Sequence, residues 1–368
     1  MKILSVIHTM ASSHGGPPEV LRNQVSIINK NEKIINILKL SKLSFTFLIK
    51  CFLLKSYRLK IYNFLKKYDI IHFHEVWNLK AIFIVYFANK ILIKHFFVGH
   101  GYLDTWSIRD KYLKKKLFIK FFLQYAYKSS SASFFSTKSE FYEARKNIKV
   151  HSTFVIPNGL SLKKFKNQKK KINVKKKILF FGRIHEKKGL QLLLETIKIL
   201  PKSYFDKFTF EITGPGESNT VNKIKAMIKD NSLTGKVNYN EPIYDDKKIN
   251  YIKKHDVFIL PSYEEGDSIA LKEALGSYLP VIISKQCRLE IVEKYKAGIV
   301  IETNIKSLYD ALINLEKLDL GKMGENARKL IEENYDNNNC SMRLKKVYYD
   351  LFNSVSKSPD WIFDAEEN

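Results

Sequence analysis

Short apolar runs alternate with longer amphipathic stretches along almost the whole chain. In the first half, the apolar runs KILSVIH and YDIIHFHE precede stretches with helical periodicity such as WNLKAIFIVYFANKI. Strands that alternate with helices of this length are typical of a parallel sheet with helices on both faces. The pattern therefore predicts an α/β fold of the doubly wound kind.

The alternation stops once, in the lysine-rich and weakly apolar segment KKFKNQKKKINVKKK at residues 163–177. It starts again at KILFFGR and continues as far as the strand AGIVI. We predict two Rossmann-like domains that face a central cleft, because ligands of such sheets bind at the carboxyl ends of the strands. The predicted bounds are 1–165 for the first domain, 166–340 for the second, and 341–368 for a helix that returns to the first domain and an acidic tail.

The composition narrows the class of protein. The 368 residues are 45% hydrophobic and 13% aromatic, which is enough to fill two cores and excludes a disordered chain. The cysteines, Cys51, Cys287 and Cys340, are far apart and odd in number, so neither a disulfide framework nor a metal motif is expected. The first apolar run ends at His8, which is too short for a signal peptide, and no stretch of about 18 apolar residues occurs. We therefore expect a cytoplasmic protein without a transmembrane helix.

The net charge of +26 favours an anionic partner. Lysine supplies most of it, whereas arginine is the residue that best matches phosphate and guanine geometry, so we do not expect nucleic acid as the partner. From Lys39 to Lys128 the basic residues far outnumber the acidic ones and are interleaved with apolar and aromatic residues. This pattern predicts docking on the anionic inner face of the cell membrane. The alternative is a solvated helix face over an ordinary core.

Two loops of the second half carry residues suited to a nucleoside diphosphate. Arg183 ends the run KILFFGR, and Lys188 precedes the next predicted helix. An arginine fork and a lysine point charge above a parallel sheet suit a diphosphate. After the following strand, Gly214 in the loop TGPGES permits close approach of the backbone to a ligand. The alternative for the first loop is a surface loop with two solvated cations.

The most specific signal is the segment PSYEEGDSIALKEAL, in which a strand is followed by a helix that we predict to begin near Gly266. The amides of Gly266, Asp267 and Ser268 would then form an anion-binding cup at the helix start. Glu265 and Glu273 lie on either side of this cup, where carboxylates would bind sugar or ribose hydroxyls. The alternative is a capping acid followed by an exposed helix acid.

The order of the motifs FGRIHEKKG, ITGPGE and DVFILPSYEEGDSIALKEAL resembles the nucleotide-sugar-binding half of glycosyltransferase family four, retaining enzymes of GT-B fold. The segments SSHGGPPEVL, DIIHFHEVW and GHGYLDTWSIRDKYLKKKL are also similar to that family. The resemblance implies a hexosyltransferase, or a related glycosyltransferase, that uses a UDP- or GDP-linked sugar donor and needs no cofactor. Members with this layout commonly extend surface polysaccharide, including lipopolysaccharide and O-antigen, so the resemblance implies a saccharide acceptor on polyprenyl diphosphate.

The resemblance also implies roles for single residues of the second domain. Arg183 and Lys188 would neutralise the donor diphosphate. Glu265, with the amides of residues 266–268, would hold the donor sugar at the catalytic centre, and Glu273 would bind the ribose.

In the first domain, the resemblance assigns His100 to the reacting sugar as a catalytic residue and Gly15 and Gly16 to a close backbone approach to the donor. We expect His72 and His74 to face opposite sides of their strand, with one of them lining the acceptor site together with Glu75 and the other packing beneath a helix. The weaker acceptor candidates are His74, Glu75, Asp104, Trp106 and Arg109.

Charge arithmetic favours a mechanism without a metal ion. Negative charge develops on the leaving diphosphate, and preorganised cations and amides can stabilise it. No Asp-x-Asp pair of the kind that chelates a metal-bound nucleotide occurs in the sequence. Asp267 and Ser268 stand where many family members have an aromatic residue and a glycine, and Tyr278 replaces a common glycine. The sequence therefore does not identify the donor sugar or the nucleotide base.

Two alternatives remain at this stage. One is a peripheral protein of the same fold that binds an anionic membrane or nucleic acid without transferase activity. The other is an enzyme of related fold that epimerises or phosphorolyses a nucleotide sugar.

Overall fold

The structure, a computed structural model, describes residues 1–11, 16–109, 111–150, 152–165, 172–230, 233–244 and 246–354. The chain divides into two compact units. Unit 1 contains residues 1–159 and the segment that begins at Asn337, and unit 2 contains residues 160–336. Each unit has one six-stranded parallel sheet with flanking helices, which confirms the doubly wound α/β prediction.

Unit 1 has the strand order β2-β1-β3-β4-β5-β6, and all its strands are parallel. Its strands are β1 (Ile3–Ile7), β2 (Ile35–Lys39), β3 (Ile70–Phe73), β4 (Lys94–Val98), β5 (Ala132–Phe135) and β6 (Thr153–Val155). Its helices are α1 (Gly16–Ile28), α2 (Phe45–Leu53), α3 (Lys55–Leu65), α4 (Leu79–Lys90), α5 (Thr105–Arg109), α6 (Tyr112–Phe118), α7 (Gln124–Lys128), α8 (Lys138–Arg145) and the return helix α17 (Asn337–Phe352). A π-helical turn, Ile119–Leu123, joins α6 to α7.

Unit 2 has the strand order β12-β11-β10-β7-β8-β9, again all parallel. Its strands are β7 (Lys176–Phe181), β8 (Phe208–Thr213), β9 (Val237–Asn240), β10 (Val257–Leu260), β11 (Val281–Ser284) and β12 (Gly298–Ile301). Its helices are α9 (Leu190–Lys198), α10 (Tyr204–Lys207), α11 (Ser218–Asp230), α12 (Asp246–Ile252), α13 (Ile269–Gly276), α14 (Ile291–Lys294), α15 (Ile305–Asn314) and α16 (Leu320–Asn334). Within the described ranges, every helix is too short or too polar to cross a bilayer.

Alternate residues of the central strands of unit 1 pack against different helix layers. On β3, Ile71 and Phe73 face the core that contains α4, while Ile70 faces the core that contains Tyr348 of the return helix. His72 shares the face of Ile70, and its ring contacts Tyr348. The return helix is therefore part of the core of unit 1 and lies over one face of its sheet.

The return helix is held at both ends. Asn337, its first residue, donates a hydrogen bond to the carbonyl of Asn23 at 3.0 Å. At its other end, Lys94 Nζ donates to the carbonyl of Leu351 at 2.5 Å and to Ser354 Oγ at 2.8 Å. A cation at the carboxyl end of a helix satisfies its last carbonyls and opposes its dipole.

In unit 2, α16 packs closely on the segment that follows α13. Tyr278 has a φ of +64°, a left-handed conformation that glycine adopts more readily. The Arg328 guanidinium donates to the carbonyl of Gly276 at 2.9 Å and lies 5.6 Å from the Tyr278 ring centroid. A Cβ atom added to Gly324 of α16 would lie 2.3 Å from the Tyr278 carbonyl oxygen, so only glycine permits this approach.

We expect Gly324→Ala to destabilise unit 2 by about 1–3 kcal/mol, because backbone must move to make room for the methyl group. Gly321→Ala, on the same helix, is the control, since its Cβ would meet only the Asp319 side chain at 3.3 Å. We expect the control to be neutral or stabilising by up to about 1 kcal/mol, because alanine favours a helix over glycine. Thermal and denaturant unfolding of both variants measures the difference; equal midpoints would contradict the packing described here.

Candidate functional site

The loops after β7 and β8 are in direct backbone contact. Gly182 follows β7, and its amide donates to the carbonyl of Thr213 at the end of β8. A Cβ atom added to Gly214 would lie 1.7 Å from the Gly182 carbonyl oxygen. Gly214 thus serves first to bring these two loops together at the carboxyl edge of the sheet.

The turn that carries Lys188 is fixed against the end of β10. Gly189 has a φ of +71°, and its Cβ would lie 2.0 Å from the carbonyl oxygen of Pro261. The carbonyl of Lys187 accepts hydrogen bonds from Ser262 Oγ at 2.8 Å and from the amide of Tyr263 at 2.7 Å. These contacts hold the start of α9 beside the segment that contains the predicted glutamates.

Lys188 and Glu265 form a buried ion pair, with Nζ 2.5 Å from Oε1. Their side chains are 14% and 6% exposed. Burial opposes ionisation of Glu265, but the charges of Lys188 and Lys187 and hydrogen bonds from Lys188 and Ser262 outweigh it and lower the pKa of the carboxyl. The structure therefore brings together one residue predicted for the diphosphate and one predicted for the sugar.

Arg183 lies at the same edge but is arranged differently. Its side chain is exposed after β7. Among the residues that the structure describes, it has neither an ion pair nor a hydrogen-bond partner. An available guanidinium in the same loop as a buried lysine suits a dianionic group that arrives from solvent.

The helix after the Glu265 loop begins later than we predicted. α13 starts at Ile269, and Ser268 is its N-cap, with a side chain that accepts from the amide of Leu271. The prediction of a helix start near Gly266 was wrong, because the Ser268 hydroxyl favours the cap position. Gly266 and Asp267 therefore lie in a loop before the helix, and no hydrogen bond found in the described ranges is donated by the amides of Gly266 or Ser268.

Each acidic residue of this segment is matched by a basic side chain. Lys272 is almost fully buried, binds Asp267 and lies 4.2 Å from the centroid of the Tyr335 ring. The four pairs are Glu264–Arg288, Glu265–Lys188 at 2.5 Å, Asp267–Lys272 at 2.5 Å and Glu273–Lys248 at 2.5 Å. The motif is thus a set of paired charges and not a cluster of acids alone.

A second polar network at the ends of β8 and β9 was missed by the sequence analysis. Glu211 accepts hydrogen bonds from Tyr251 Oη at 2.7 Å and Asn240 Nδ2 at 3.2 Å, and its carboxylate lies 3.0 Å from His255 Nε2. The nearby His255 imidazole is the largest cause that lowers the pKa of Glu211 to about 2, and Tyr251 and Lys177 add to it. Four single polar residues at wide spacing give no sequence motif.

In unit 1, the structure corrects the prediction for His72 and His74. Their ring centroids are 4.0 Å apart, so the two imidazoles share one face. The prediction was wrong because residues two apart point to the same side of a strand. His74 is 1% exposed and lies between His72 and His100, with its Nδ1 3.2 Å from His100 Nε2. His74 therefore packs against the His100 ring and is not part of an open surface.

His100 occupies a strained turn after β4, with a φ of +47°. The buried carboxylate of Glu140 accepts from the amides of Gly101 at 2.6 Å and Ser136 at 2.7 Å. A Cβ on Gly99 would lie 2.6 Å from the same carboxylate. Burial lowers the pKa of His100 to about 4, so its imidazole is neutral at neutral pH.

Glu140 is a site residue that the sequence analysis missed. It is 2% exposed and stands three residues after Thr137, the N-cap of α8. A threonine followed three residues later by glutamate is a helix-start signal, and it gives no indication that Glu140 binds the amide of the turn that carries His100.

Two acidic residues that were predicted to bind the saccharide acceptor instead accept hydrogen bonds from backbone amides. Glu75 accepts from the amide of His8 at 2.8 Å. Asp104 is buried and accepts from the amide of Ser107 at 2.5 Å, which starts α5. On α5 itself, Trp106 is half-buried and Arg109 is exposed.

Of the predicted glycine pair, Gly16 is the first residue of α1. Gly15 lies outside the described residues.

One protein-family model matches unit 2. Residues 162–336 match the family model described as Glycosyl transferases group 1. These residues are almost the whole of unit 2, and they include every predicted donor residue of that unit. Unit 2 therefore matches a group 1 glycosyl transferase domain.

Two curated proteins give the context of the sequence. The chain is 26% identical over 213 residues to an uncharacterized glycosyltransferase of Methanocaldococcus jannaschii, MJ1069, with 54% of this chain and 53% of that protein covered. It is 29% identical over 224 residues to the UDP-Gal:alpha-D-GlcNAc-diphosphoundecaprenol alpha-1,3-galactosyltransferase of Escherichia coli, with 54% of each covered. The chain spans about half the length of each of these relatives.

Solved structures establish the fold of both units. Anabaena Alr3699/HepE in complex with UDP matches with a TM-score of 0.74 at 14% identity, over 95% of this chain and 100% of that one. Sucrose-phosphate synthase from Thermosynechococcus elongatus matches with a TM-score of 0.74 at 14% identity, over 96% and 100%. At this identity the likeness concerns the fold alone, and it confirms the prediction of a GT-B fold.

The Glu211 network predicts a specific dependence of stability on pH. A carboxyl group with a folded pKa of about 2, against an ordinary value of 4.5, stabilises the fold at neutral pH by about 3 kcal/mol. The contribution is complete above pH 4.5 and is lost as the pH falls towards 2. Glu211→Gln should therefore be less stable than the wild type at pH 7, with a difference that shrinks below about pH 4.5.

The measurement is the free energy of unfolding of both proteins between pH 7 and about pH 3. Glu217→Gln is the control, since Glu217 is exposed at the start of α11. A difference between Glu211→Gln and wild type that stays constant over this range would show that the carboxylate charge does not act as described.

Proposed function

We propose that this protein is a retaining glycosyltransferase of family 4. It would transfer a hexosyl or related sugar from a UDP- or GDP-linked donor to a saccharide acceptor on polyprenyl diphosphate, in the synthesis of O-antigen or another surface polysaccharide. The observation that carries the proposal is the buried Lys188–Glu265 ion pair, with the exposed Arg183 in the same loop as Lys188, in the unit that matches the Glycosyl transferases group 1 model.

The leaving diphosphate is the first thing this site must stabilise. Lys188 has three N–H donors, so it can keep Glu265 as a partner and still donate to a phosphate oxygen. Arg183 adds a planar fork that suits a second phosphate oxygen. Cations fixed before the reaction stabilise the negative charge that develops in the transition state, which supports a mechanism that does not depend on a metal ion.

Glu265 and Glu273 are proposed to bind the sugar and the ribose of the donor. Glu265 is ionised, because its cationic neighbours lower its pKa, and it is held in one position by Lys188. Glu273 is held in the same way by Lys248 of α12. An ionised carboxylate accepts about four hydrogen bonds, so one ion pair leaves room for hydroxyl groups.

The relatives support the classes of donor and acceptor. The E. coli relative is named for a UDP-linked galactose donor and a diphosphoundecaprenol-linked acceptor. The Anabaena protein that matches in fold is solved with UDP and with UDP-glucose. For this chain, a UDP-linked donor and a lipid-linked acceptor are therefore proposed first.

The transfer assay tests the proposal. With a panel of UDP- and GDP-linked sugars and a lipid-linked acceptor, Arg183→Ala and Glu265→Gln should each lower turnover by about two orders of magnitude, the cost of one lost transition-state contact. Lys198→Ala is the control, because Lys198 is an exposed cation at the other end of α9. A chelator should change turnover by no more than about twofold.

Two results would contradict the proposal. Failure of every nucleoside diphosphate to bind in isothermal titration would favour the alternative of a peripheral binding protein without activity. Near-normal turnover of Arg183→Ala or Glu265→Gln would remove that residue from the site.

We also propose that unit 1 docks on the anionic inner face of the cell membrane through one helical surface, the 113–121 face. Leu113, Leu117 and Phe121 recur every four residues and are 73%, 55% and 63% exposed. Lys114, Lys116 and Lys120 are exposed among them. Lys115 differs, because it donates to the carbonyl of Ser107 within unit 1. Exposed apolar side chains flanked by lysines suit the headgroup region of an anionic bilayer.

Vesicle flotation tests the 113–121 face. The wild type should bind vesicles that contain anionic lipid, bind neutral vesicles weakly and lose binding at high salt, since each lysine near the surface contributes about 1 kcal/mol. Replacing Lys114, Lys116 and Lys120 by glutamate should abolish binding. Replacing the exposed Lys202, Lys223 and Lys229 of unit 2 by glutamate gives the same change in net charge and should have little effect.

An equal loss of binding in both triple variants would show that only the total charge matters. Indifference of the wild type to lipid charge and to salt would favour a soluble acceptor and a merely lysine-rich composition.

A further inference from the structure

Three histidines and one tyrosine form a continuous chain of ring contacts in unit 1. Tyr348 Oη of the return helix lies 2.8 Å from His72 Nδ1. The rings of His72 and His74 are 4.0 Å apart, and His74 Nδ1 lies 3.2 Å from His100 Nε2. The chain thus runs from the return helix to the strained turn that carries His100.

The sheet register explains why these rings meet. His72 pairs with Phe96 across β3 and β4, and alternate residues share a face, so the side of the sheet that holds His72 and His74 also holds the side chains two and four residues after Phe96. The last of these is His100. Because the turn begins there, its ring can fold back over His74.

The hydrogen-bond partners of the buried ring nitrogens determine which nitrogen of His74 carries the proton. Among the described residues, Nε2 of His74 is buried and has no hydrogen-bond partner. A buried N–H without an acceptor costs more than a buried lone pair without a donor, because orphaned N–H groups are the rarer defect. The favoured tautomer of His74 therefore carries its proton on Nδ1, the atom that faces His100.

The same reasoning determines the tautomer of His100. If His74 donates from Nδ1, then His100 accepts at Nε2, and a neutral His100 carries its own proton on Nδ1. Burial lowers the pKa of His72, His74 and His100, which keeps all three rings neutral. The Nε2 lone pair of His100 is then occupied.

We propose that His74 is a positioning residue that fixes His100 as its Nδ1–H tautomer. His100 then presents a hydrogen-bond donor to an oxygen of a bound ligand, a sugar hydroxyl or a phosphate oxygen, and has no lone pair with which to act as a general base. The choice of ligand rests on the proposed function, whereas the tautomer does not.

The tautomer is measured directly by long-range ¹H–¹⁵N correlation spectra of the whole protein labelled with [¹⁵N]histidine. The His100 signals are assigned by their loss in His100→Gln. We expect a protonated Nδ1 and an unprotonated Nε2 for His100 in the wild type. A protonated Nε2 on His100 would overturn the proposal, whatever the activity of the protein.

Variants of His74 separate positioning from packing. His74→Asn places an amide N–H near the former Nδ1, so it should keep the His100 tautomer and retain turnover within about threefold. His74→Gln has its amide farther out and lacks that donor. It should allow His100 to protonate at Nε2 and lower kcat by about tenfold or more, with the KM for the nucleotide sugar changed by no more than about twofold.

Tyr348→Phe is the matched control. It removes the hydrogen bond to His72 and leaves the His74–His100 contact, so the His100 spectrum should not change. An unchanged His100 tautomer in His74→Gln, or equal losses of kcat in His74→Asn and His74→Gln, would overturn the positioning role. If no donor is turned over at all, the proposed function fails while the spectra still decide the tautomer.

Discussion

The buried ion pair between Lys188 and Glu265 is the interaction on which the architecture of unit 2 depends. Removing two charges from water costs several kcal/mol for each ion, and only good geometry offsets that cost. The contact of Gly189 with Pro261 and the hydrogen bonds to the Lys187 carbonyl supply that geometry. These contacts hold the loops at this edge of the sheet around the charge pair, and a cation held in place before the reaction is what a leaving phosphate needs.

In unit 1, an uncharged side chain is held in place in a comparable way. His100 is held in a left-handed turn by the carboxylate of Glu140 and by the ring of His74. Burial makes its imidazole uncharged, so its use is directional hydrogen bonding and not charge. Unit 2 thus contains a fixed cation, Lys188, and unit 1 contains a fixed neutral ring, His100.

The sequence predicts the layers of the fold well because strand and helix periodicities are local. The sequence says little about β2 and β6, because these edge strands of the first sheet are short or partly exposed and their apolar signal is weak. It finds Lys188, Glu265 and Glu273 because they lie in motifs. It misses the partners Lys248 and Lys272 because one more lysine in a lysine-rich chain carries no signal, and only the fold shows which lysines are buried against an acid.

Lysine and arginine have different structural roles in this protein, and this difference shows how the excess of positive charge is used. Lysines are used both as buried partners of single acids and as the exposed cations of the 113–121 face, so their number alone indicates neither role. Arginine is rare and is used where a planar fork is needed: Arg288 binds Glu264, and Arg328 binds a carbonyl and lies over an aromatic ring. Arg183 is exposed, without a partner in the described part of the chain, at the edge where β7 ends. In a chain that places most of its few arginines on specific partners, that position argues for a partner that arrives from solution, and the fork selects a phosphate or a carboxylate.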